Sequence, residues 1–440
     1  MQKVFVLDKN KEPLMPCHPA RARELLKLGK ATVFKRFPFT IILKHREGGE
    51  LQPITLKIDP GSKETGIVMV GDFKRGKRVI WAGVLEHRGQ QIKDALESRR
   101  ALRRGRRARH TRYRPARFNN RTRPKGWLQP SLMSRIENIW TWAKRLNQSC
   151  KIQSISQELV KFDTQLMQDA EISGVEYQQG ELAGYKVREY LLEKWQRKCA
   201  FCSAKNVPLE VEHINPKSRG GTNRISNLTL ACRTCNEKKG SQTASEFGYP
   251  NIQKQAKCPL KDATAVNTTR WALYNRLKDS GLPVEVGTGG RTKYNRKGYP
   301  KAHWVDASCV GESGACVYLE PNMSYLHINA TGHGSRQMCR TDKFGFPSRH
   351  RLRQKRHFGF QTGDMVKAVV TKGKYTGVHV GRVACRATGS FDITTKVGKV
   401  TVNHKNCSSL HRADGYRYTC RREDDIPLSA KADSLLPIIL

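Results

Sequence analysis

Four cysteines, Cys199, Cys202, Cys232 and Cys235, fall as two Cys-x-x-Cys pairs separated by a loop. Thiolates at this double spacing are ligands for a tetrahedral Zn2+, and with all four positions filled by protein the ion would be structural. Within or beside that frame lie Glu212-His213-Ile-Asn-Pro216, Gly220-Gly221, Asn227-Leu228 and Asn236. A neutral imidazole near pH 7 suits removal of a proton from a water attacking phosphorus, which makes His213 a candidate general base. Glu212 and Asn236 offer the hard oxygen donors that Mg2+ prefers, and the ion would neutralise charge developing on the leaving oxygen. Asn227 is placed to orient His213 or to brace its loop. A His beside a Glu is more often an ordinary surface pair; the cysteine frame, Pro216, the glycine pair and Asn227 argue against that here.

A second set of acids is spread along the chain: Asp59, Glu158 and Asp306. Their settings read as a strand end, a mid-strand and a helix start. Brought together, three carboxylates bind two divalent metals that clamp the attacking and leaving oxygens of an in-line displacement. His303 stands three residues before Asp306 and would share its face of a helix, as base or ligand. Taken singly, each carboxylate is more simply a solvated acid. Asp59, in Ile-Asp-Pro-Gly, stands out most; Glu158 has other acids nearby (Asp163, Asp169 and Glu171).

Charge dominates the composition, with 81 Lys+Arg against 38 Asp+Glu and a net charge of +43. A field that positive favours a polyanionic partner, and nucleic acid is the usual one, with binding that weakens steeply as salt rises. The densest run carries Arg99, Arg100, Arg103, Arg104, Arg106, Arg107, Arg109, Arg112, Arg114, Arg117 and Arg121, and no Asp or Glu occurs between Ser98 and Ile136. Its first part is helical in pattern with arginines on most sides, so it cannot pack into an apolar core. Its second part interleaves Tyr113 and Phe118 with arginines, which bind phosphate bidentately and stack on bases. The total of 13 Cys is odd and mostly scattered, which argues against a disulfide framework and for a reducing compartment. No apolar run approaches membrane-spanning length and no signal-peptide pattern opens the chain, so the expectation is a soluble intracellular protein without a membrane partner.

The elements that must position these residues are legible as patterns. Pro13-Leu-Met-Pro16 reads as a rigid turn, residues 21–28 as a helix stopped by Gly29, and Thr32-Val-Phe and Phe39-Thr-Ile-Ile-Leu43 as strands. Residues 54–59, 66–70 and 79–85 read as three successive strands, and an acid at the end of the first is how an RNase H-like sheet begins. Residues 132–146 form an amphipathic helix, 154–160 a strand, 184–196 and 263–277 helices, and 284–299 a Gly- and Lys/Arg-rich loop or short strand. Residues 363–370, 373–377, 381–383, 391–393 and 397–402 are short strands between glycine turns, the pattern of a small β-barrel that Tyr416 and Tyr418 would close.

The module at 199–239 has the pattern of an HNH endonuclease. More broadly, Pro13-Leu-Met-Pro16, Ile58-Asp-Pro-Gly61, Arg112-Tyr-Arg-Pro-Ala-Arg-Phe-Asn-Asn-Arg121, Gln157-Glu158-Leu, Glu212-His-Ile214 and His303-Trp-Val-Asp-Ala307 occur in the order of the IscB family. The chain resembles that family of transposon-encoded, RNA-guided DNA nucleases, which are regarded as ancestors of the type II CRISPR effectors. The resemblance implies an α/β multidomain protein: an RNase H-like (RuvC) mixed sheet split in three, an inserted zinc-containing ββα-metal HNH domain, an Arg-rich bridge helix and a small C-terminal β-barrel. It implies an N-terminal PLMP unit at 1–48, RuvC segments at 49–97, 126–183 and 251–344, the bridge helix at 98–125, the HNH domain with its linker helix at 184–250 and a motif-reading C-terminal domain at 345–440. Mg2+ would serve both nuclease sites. The bridge helix would grip a structured guide RNA, the HNH site would cut the guide-paired strand of a double-stranded DNA target, and the RuvC site the displaced strand. The protein would act as a monomer in a ribonucleoprotein, in a prokaryotic cytoplasm and at the nucleoid when bound to DNA. Glu212 departs from the family, in which many relatives have Asp.

Two other classes compete: a stand-alone HNH nuclease of the homing type that reads duplex DNA without RNA, and a catalytically silent RNA-binding scaffold. The Arg-rich run inserted between strands speaks against the first, and the retained Asp59, Glu158, His213, Asn236 and Asp306 against the second.

Overall fold

The computed structural model describes residues 2–108, 127–159, 188, 190–192, 194–205, 207–257, 261–320, 323–333, 338–342, 346–350, 353–395 and 397–422. The N-terminal unit comprises β1 (Val4–Leu7), β2 (Pro13–Cys17), α1 (Pro19–Lys27), β3 (Ala31–Lys35) and β4 (Thr40–Leu43), with sheet order β2-β1-β4-β3. The turn expected at Pro13-Leu-Met-Pro16 is instead strand β2, antiparallel to β1. Proline cannot complete a ladder on both sides, and β2 is an edge strand, where that deficit faces no partner. Helix α1 begins with Pro19 after His18, whose ring accepts from the Ala20 N–H, and the chain turns away at Gly29 with φ of +68°.

The large sheet is built from both sides of a long insertion. It contains β5 (Ile54–Asp59), β6 (Glu64–Phe73) and β7 (Gly76–Glu86), followed by α2 (Gly89–Ala108), α3 (Pro130–Ser149) and β8 (Ser154–Glu158). The inserted unit holds β9 (Leu209–His213), β10 (Leu228–Cys232), α4 (Arg233–Lys239) and α5 (Asn251–Lys257). The chain then returns through α6 (Lys261–Lys278), β11 (Val284–Gly287), α7 (Gly289–Asn295), α8 (His303–Ser308), β12 (Val317–Tyr318) and β13 (Tyr325–Ala330). Eight strands make the sheet, in the order β11-β8-β5-β6-β7-β13-β23, with β12 alongside β7 and β23 spanning Tyr416–Arg421. Strands β5, β8 and β11 are mutually parallel, whereas β5, β6 and β7 form an antiparallel meander.

Both faces of this sheet are covered, so its central strands are apolar throughout rather than alternating. Ile67 and Met69 of β6 face a core with Trp81, the α3 residues Ile136, Ile139, Trp142 and Leu146, and Leu273 and Leu277 of α6. Val68 and Val70 face the other side, against Trp304, Val305 and Ala307 of α8. Helix α8 lies so close to β6 that a Cβ on Gly66 would fall 1.9 Å from the His303 carbonyl oxygen.

Several expectations need correction. The strand at Tyr416–Arg421 does not close a C-terminal barrel; it pairs antiparallel with β13 in the large sheet. Its two tyrosines explain why: Tyr416 and Tyr418 pack edge-on against Trp142, and Tyr418 stacks on Phe37. Arg145 of α3 also pairs with Asp414 at 2.7 Å. Against the upward push of burial, hydrogen bonds from His411 and Tyr418 and the Arg145 charge hold the Asp414 carboxyl at about 2. After two short hairpins, β14 (Cys339–Thr341) with β15 (Pro347–His350) and β16 (Arg356–His357) with β17 (Phe360–Gln361), the C-terminal sheet has β18 (Met365–Val370), β19 (Gly377–Ala384), β20 (Ser390–Thr394), β21 (Lys399–Asn403) and β22 (Cys407–His411). Its path among the described residues is open, β21-β20-β19-β18-β22. Residues 371–376 are turn, not strand. Of the loop or short strand expected at 284–299, the strand is present as β11, and helix α7 stands where loop would follow it. Helix α5 belongs to the inserted unit, since Ile252 and Ala256 join its core with Tyr190, Leu191 and Leu230; that unit therefore extends past the expected boundary at 250.

No described helix is long and apolar enough to cross a membrane. Trp142 is fully buried and stacks on Trp81 at 6.1 Å between ring centroids. Trp142→Ala should therefore lower stability by about 3–5 kcal/mol, whereas Val397→Ala, at a side chain that is 100% exposed, should change it by less than about 0.5 kcal/mol. Urea unfolding followed by near-UV circular dichroism distinguishes the two.

Candidate nuclease centres

The turn at 199–203 and the junction between β10 and α4 present the four cysteines to one another. Their sulfur atoms all lie within 4.8 Å, and Cys202 and Cys232 are 3.7 Å apart. A tetrahedral ion with Zn–S of about 2.3 Å separates its sulfurs by about 3.8 Å, so the observed spacing fits zinc. Burial pushes the Cys199 thiol up, but backbone N–H groups of Cys202 and Cys232 outweigh it and hold the group at about 7. Burial and the neighbouring sulfurs push Cys235 up. Crowded thiols that raise one another's proton affinity are relieved by a bound cation. Among the described residues, this is the one cluster of three or more His, Cys, Asp or Glu side chains able to hold a metal ion.

The β9–β10 hairpin and α4 carry the rest of the module. Strand alternation puts Glu210 and Glu212 on one face of β9, and helical spacing puts Asn236 and Lys239 on one face of α4. Two rungs join them: Asn236 Nδ2 donates to Glu210 Oε2 at 2.7 Å, and Lys239 Nζ donates to Glu212 Oε1 at 2.7 Å. The Lys239 side chain is 0% exposed and that of Glu212 14%. The expected pair of Mg2+ donors, Glu212 and Asn236, thus has two different protein partners. Their oxygens have the hard chemistry Mg2+ takes, Asn236 keeping its carbonyl oxygen for that role, but Glu212 already neutralises a buried ammonium. At the end of β9, His213 Nε2 lies 3.0 Å from Asn223 Oδ1. With that amide oxygen accepting, the ring proton sits on Nε2 and Nδ1 carries the lone pair. Asn227 braces the loop rather than the imidazole. Its Oδ1 accepts from Asn215 N, and its Nδ2 donates to the Asn215 and Thr222 carbonyls, each at 2.9 Å.

The second acidic set is brought near enough to interact electrostatically, although its oxygens do not reach the 4.8 Å mutual spacing of the cysteine cluster. Asp59 and Glu158 end neighbouring parallel strands, with Ile58 beside Gln157, and Asp306 reaches them from α8. Burial and the charges of Glu158 and Asp306 push the Asp59 carboxyl well up. Burial, aided by Asp306, raises Glu158 despite a hydrogen bond from Thr292, and burial raises Asp306 despite Arg296. Carboxylates that destabilise one another's charge suit a divalent cation. Arg296 supplies one positive charge, 3.1 Å from Asp306 Oδ1. His303 shares the α8 face with Asp306 but engages Glu64, Nε2 to Oε2, at 3.1 Å.

Sequence reasoning missed Asn223, Lys239, Glu64 and Arg296. Lys239 had a signal, one helical turn after Asn236, but a lysine at a helix end reads as solvated. Arg99, Arg100, Arg103, Arg104 and Arg107 are exposed along α2, and Arg106 lies within that helix. Arg109, Arg112, Arg114, Arg117 and Arg121 lie outside the described residues, as do Asp163, Asp169 and Glu171.

Residues 4–180 match the family model described as RRXRR protein, and residues 199–242 match that of HNH endonuclease. The HNH match supports a nuclease. No curated protein matches the chain. Among solved structures, RuvC of T. thermophilus in complex with a Holliday junction substrate has 11% identity and a TM-score of 0.22 over 60% of this chain and 98% of that one. Cas9 of Streptococcus thermophilus in complex with the GGAA PAM has 12% identity and a TM-score of 0.22 over 59% of this chain and 32% of that one. The type II-C Cas9 of Actinomyces naeslundii has 18% identity and a TM-score of 0.16 over 47% of this chain and 29% of that one. The chain thus spans about a third of the length of these Cas9 proteins.

Two outcomes follow for the inserted unit. Glu212→Ala strands the buried Lys239 ammonium and should destabilise the unit by about 3–5 kcal/mol, read as faster amide exchange in β9 and α4. The purified protein should carry one zinc per chain by elemental analysis, and Cys202→Ser with Cys235→Ser should remove it.

Proposed function

We propose that the chain is an RNA-guided, metal-dependent endonuclease that cuts both strands of double-stranded DNA. The 199–239 module would act on the guide-paired strand and the Asp59–Glu158–Asp306 centre on the displaced strand. The observation that carries this reading is topological. The module has its own apolar core, and it is inserted between β8, which bears Glu158, and α8, which bears Asp306. One chain therefore holds two separate donor sets suited to phosphodiester hydrolysis.

In the first, His213 would take a proton from the attacking water while Asn223 holds its ring. The Asn227 brace fixes the loop that follows His213, and the Lys239–Glu212 pair fixes strand β9 against α4. In the second, Asp59, Glu158 and Asp306 would hold Mg2+, and the Glu64–His303 pair would stand beside them to accept or relay a proton. A bound divalent ion would neutralise charge on the attacking and leaving oxygens.

Guidance by RNA is supported by the net charge of +43 and by the exposed arginines of α2, together with the motif order. Base pairing would then supply sequence specificity, with the protein recognising duplex shape and the C-terminal sheet reading a short adjacent motif. The protein would work as one copy in a ribonucleoprotein with a structured guide RNA.

Strand-labelled plasmid cleavage tests the assignment. His213→Ala should leave a nickase for the displaced strand, and Asp59→Ala one for the paired strand. Loss of both cuts from either change would sink the two-centre reading. Site-specific cleavage that survives RNase treatment of the purified particle would sink the guided one.

A further inference from the structure

Beneath the carboxylates of the large sheet lies a second polar row. Lys57 of β5 is in register with Ser156 of β8, and Ser156 with Glu285 of β11. Alternation along each strand puts this row on the same face as Asp59 and Glu158, set back by two residues, or about 7 Å. Lys57 is fully buried. Its Nζ donates to the Val310 carbonyl at 2.6 Å and to Ser313 Oγ at 2.8 Å. Glu285 accepts from Ser156 Oγ and, at 2.8 Å, from the Glu312 N–H. Asn295 adds two bonds, donating through Nδ2 to the Cys309 and Gly311 carbonyls at 2.9 Å each.

Apart from the Ser156–Glu285 bond, these contacts converge on residues 309–313, the segment immediately after α8. The approach is tight. A Cβ on Gly311, whose φ is +73°, would fall 2.5 Å from a Glu285 oxygen, and one on Gly287 would fall 2.6 Å from the Gly311 nitrogen. The end of the helix that bears Asp306 is therefore tied to β5, which ends in Asp59, and to β11, which lies beside the strand ending in Glu158. An apolar side chain could fill the volume of Lys57, often without loss of stability. It could not direct hydrogen bonds at a carbonyl and a hydroxyl of that segment.

We propose that Lys57, linked to Glu285 through the Ser313 hydroxyl, is a positioning residue: it sets where Asp306 stands relative to Asp59 and Glu158. The inference rests on reading those three as a nuclease centre. Its test uses the full protein with its guide RNA and compares Lys57→Met, Lys57→Met/Glu285→Met and Asp59→Ala. Three quantities are measured: single-turnover cutting of each DNA strand, thermal unfolding, and calorimetric Mn2+ binding in excess of that retained by Asp59→Ala.

Lys57→Met should slow displaced-strand cutting by about 100-fold and weaken that Mn2+ binding by about tenfold or more. Cutting of the paired strand should not change, which reports an intact fold. The double variant should regain the unfolding temperature, since apolar side chains can replace opposite charges held near one another in the fold, without regaining cutting or Mn2+ affinity. Recovery of cutting together with stability in the double variant would reduce Lys57 to a packing role and overturn the proposal. So would unchanged displaced-strand cutting and Mn2+ binding in Lys57→Met while Asp59→Ala abolishes that cut. Displaced-strand cutting that persists in Asp59→Ala would instead overturn the reading of the centre itself.

Discussion

The structure depends on holding like charges together away from water. Asp59 and Glu158 end adjacent parallel strands, and Asp306 is brought against them from the far side of an insertion. Burial raises all three carboxyls, and neighbouring negative charge adds to it at Asp59 and Glu158. Nothing about that arrangement is favourable by itself, so the surrounding fold has to over-determine it. The double-sided apolar burial of β6 and β7, the glycine contact between β6 and α8, and the clamp on residues 309–313 are the means. They convert a costly geometry into the lowest-energy packing of the apolar sheet.

The two candidate centres neutralise buried charge in different ways. In the inserted unit, Lys239 lies within the core side of α4 and needs Glu212 as counter-charge. Pairing there ties helix to strand, and the cysteine frame ties both to the preceding turn. In the large sheet, positive charge is set around the carboxylates rather than among them: Arg296 beside Asp306, and Lys57 one row back with its own acid, Glu285. A small module leans on an ion pair and on a cysteine cluster whose spacing suits a metal. A large sheet with extensive apolar cover tolerates an excess of negative charge.

Much of this was legible in the chain because the deciding signals are local. The double Cys-x-x-Cys spacing, the alternating run that ends at Asp59 and the helical run around Trp140 each fix a short stretch. So does the strand at Ser154–Glu158, although Glu158 ends it rather than lying within it as the sequence suggested. What was not legible depends on partners distant in sequence. Pro13 and Pro16 read as a turn because a strand edge cannot be seen from one strand. Tyr416 and Tyr418 read as part of the nearest run of short strands, yet aromatic packing on Trp142 draws them to the large sheet. Lys57 reads as the polar residue of a half-buried strand, but a strand covered on both faces must give such a lysine an internal acceptor. Helix α7 was hidden by its glycines, though Thr288 caps it by accepting from the Arg291 N–H.

The same topology sets how independent the two centres are. The inserted unit has its own core and its own cysteine frame, and it departs after β8 and returns before α6. Loosening it therefore leaves the strand register of β5, β8 and β11 untouched, because none of their pairings involves an inserted residue. The converse does not hold equally. Asp306 is reached only after the chain has left the insertion, passed through α6 and added β11 beside β8. The large-sheet centre is therefore assembled from segments on both sides of the insertion, and it is complete only when the late segments have docked on the early ones. The contacts of Lys57 and Glu285 with residues 309–313 lie at that junction, which is why a polar row one step away from the carboxylates governs their geometry.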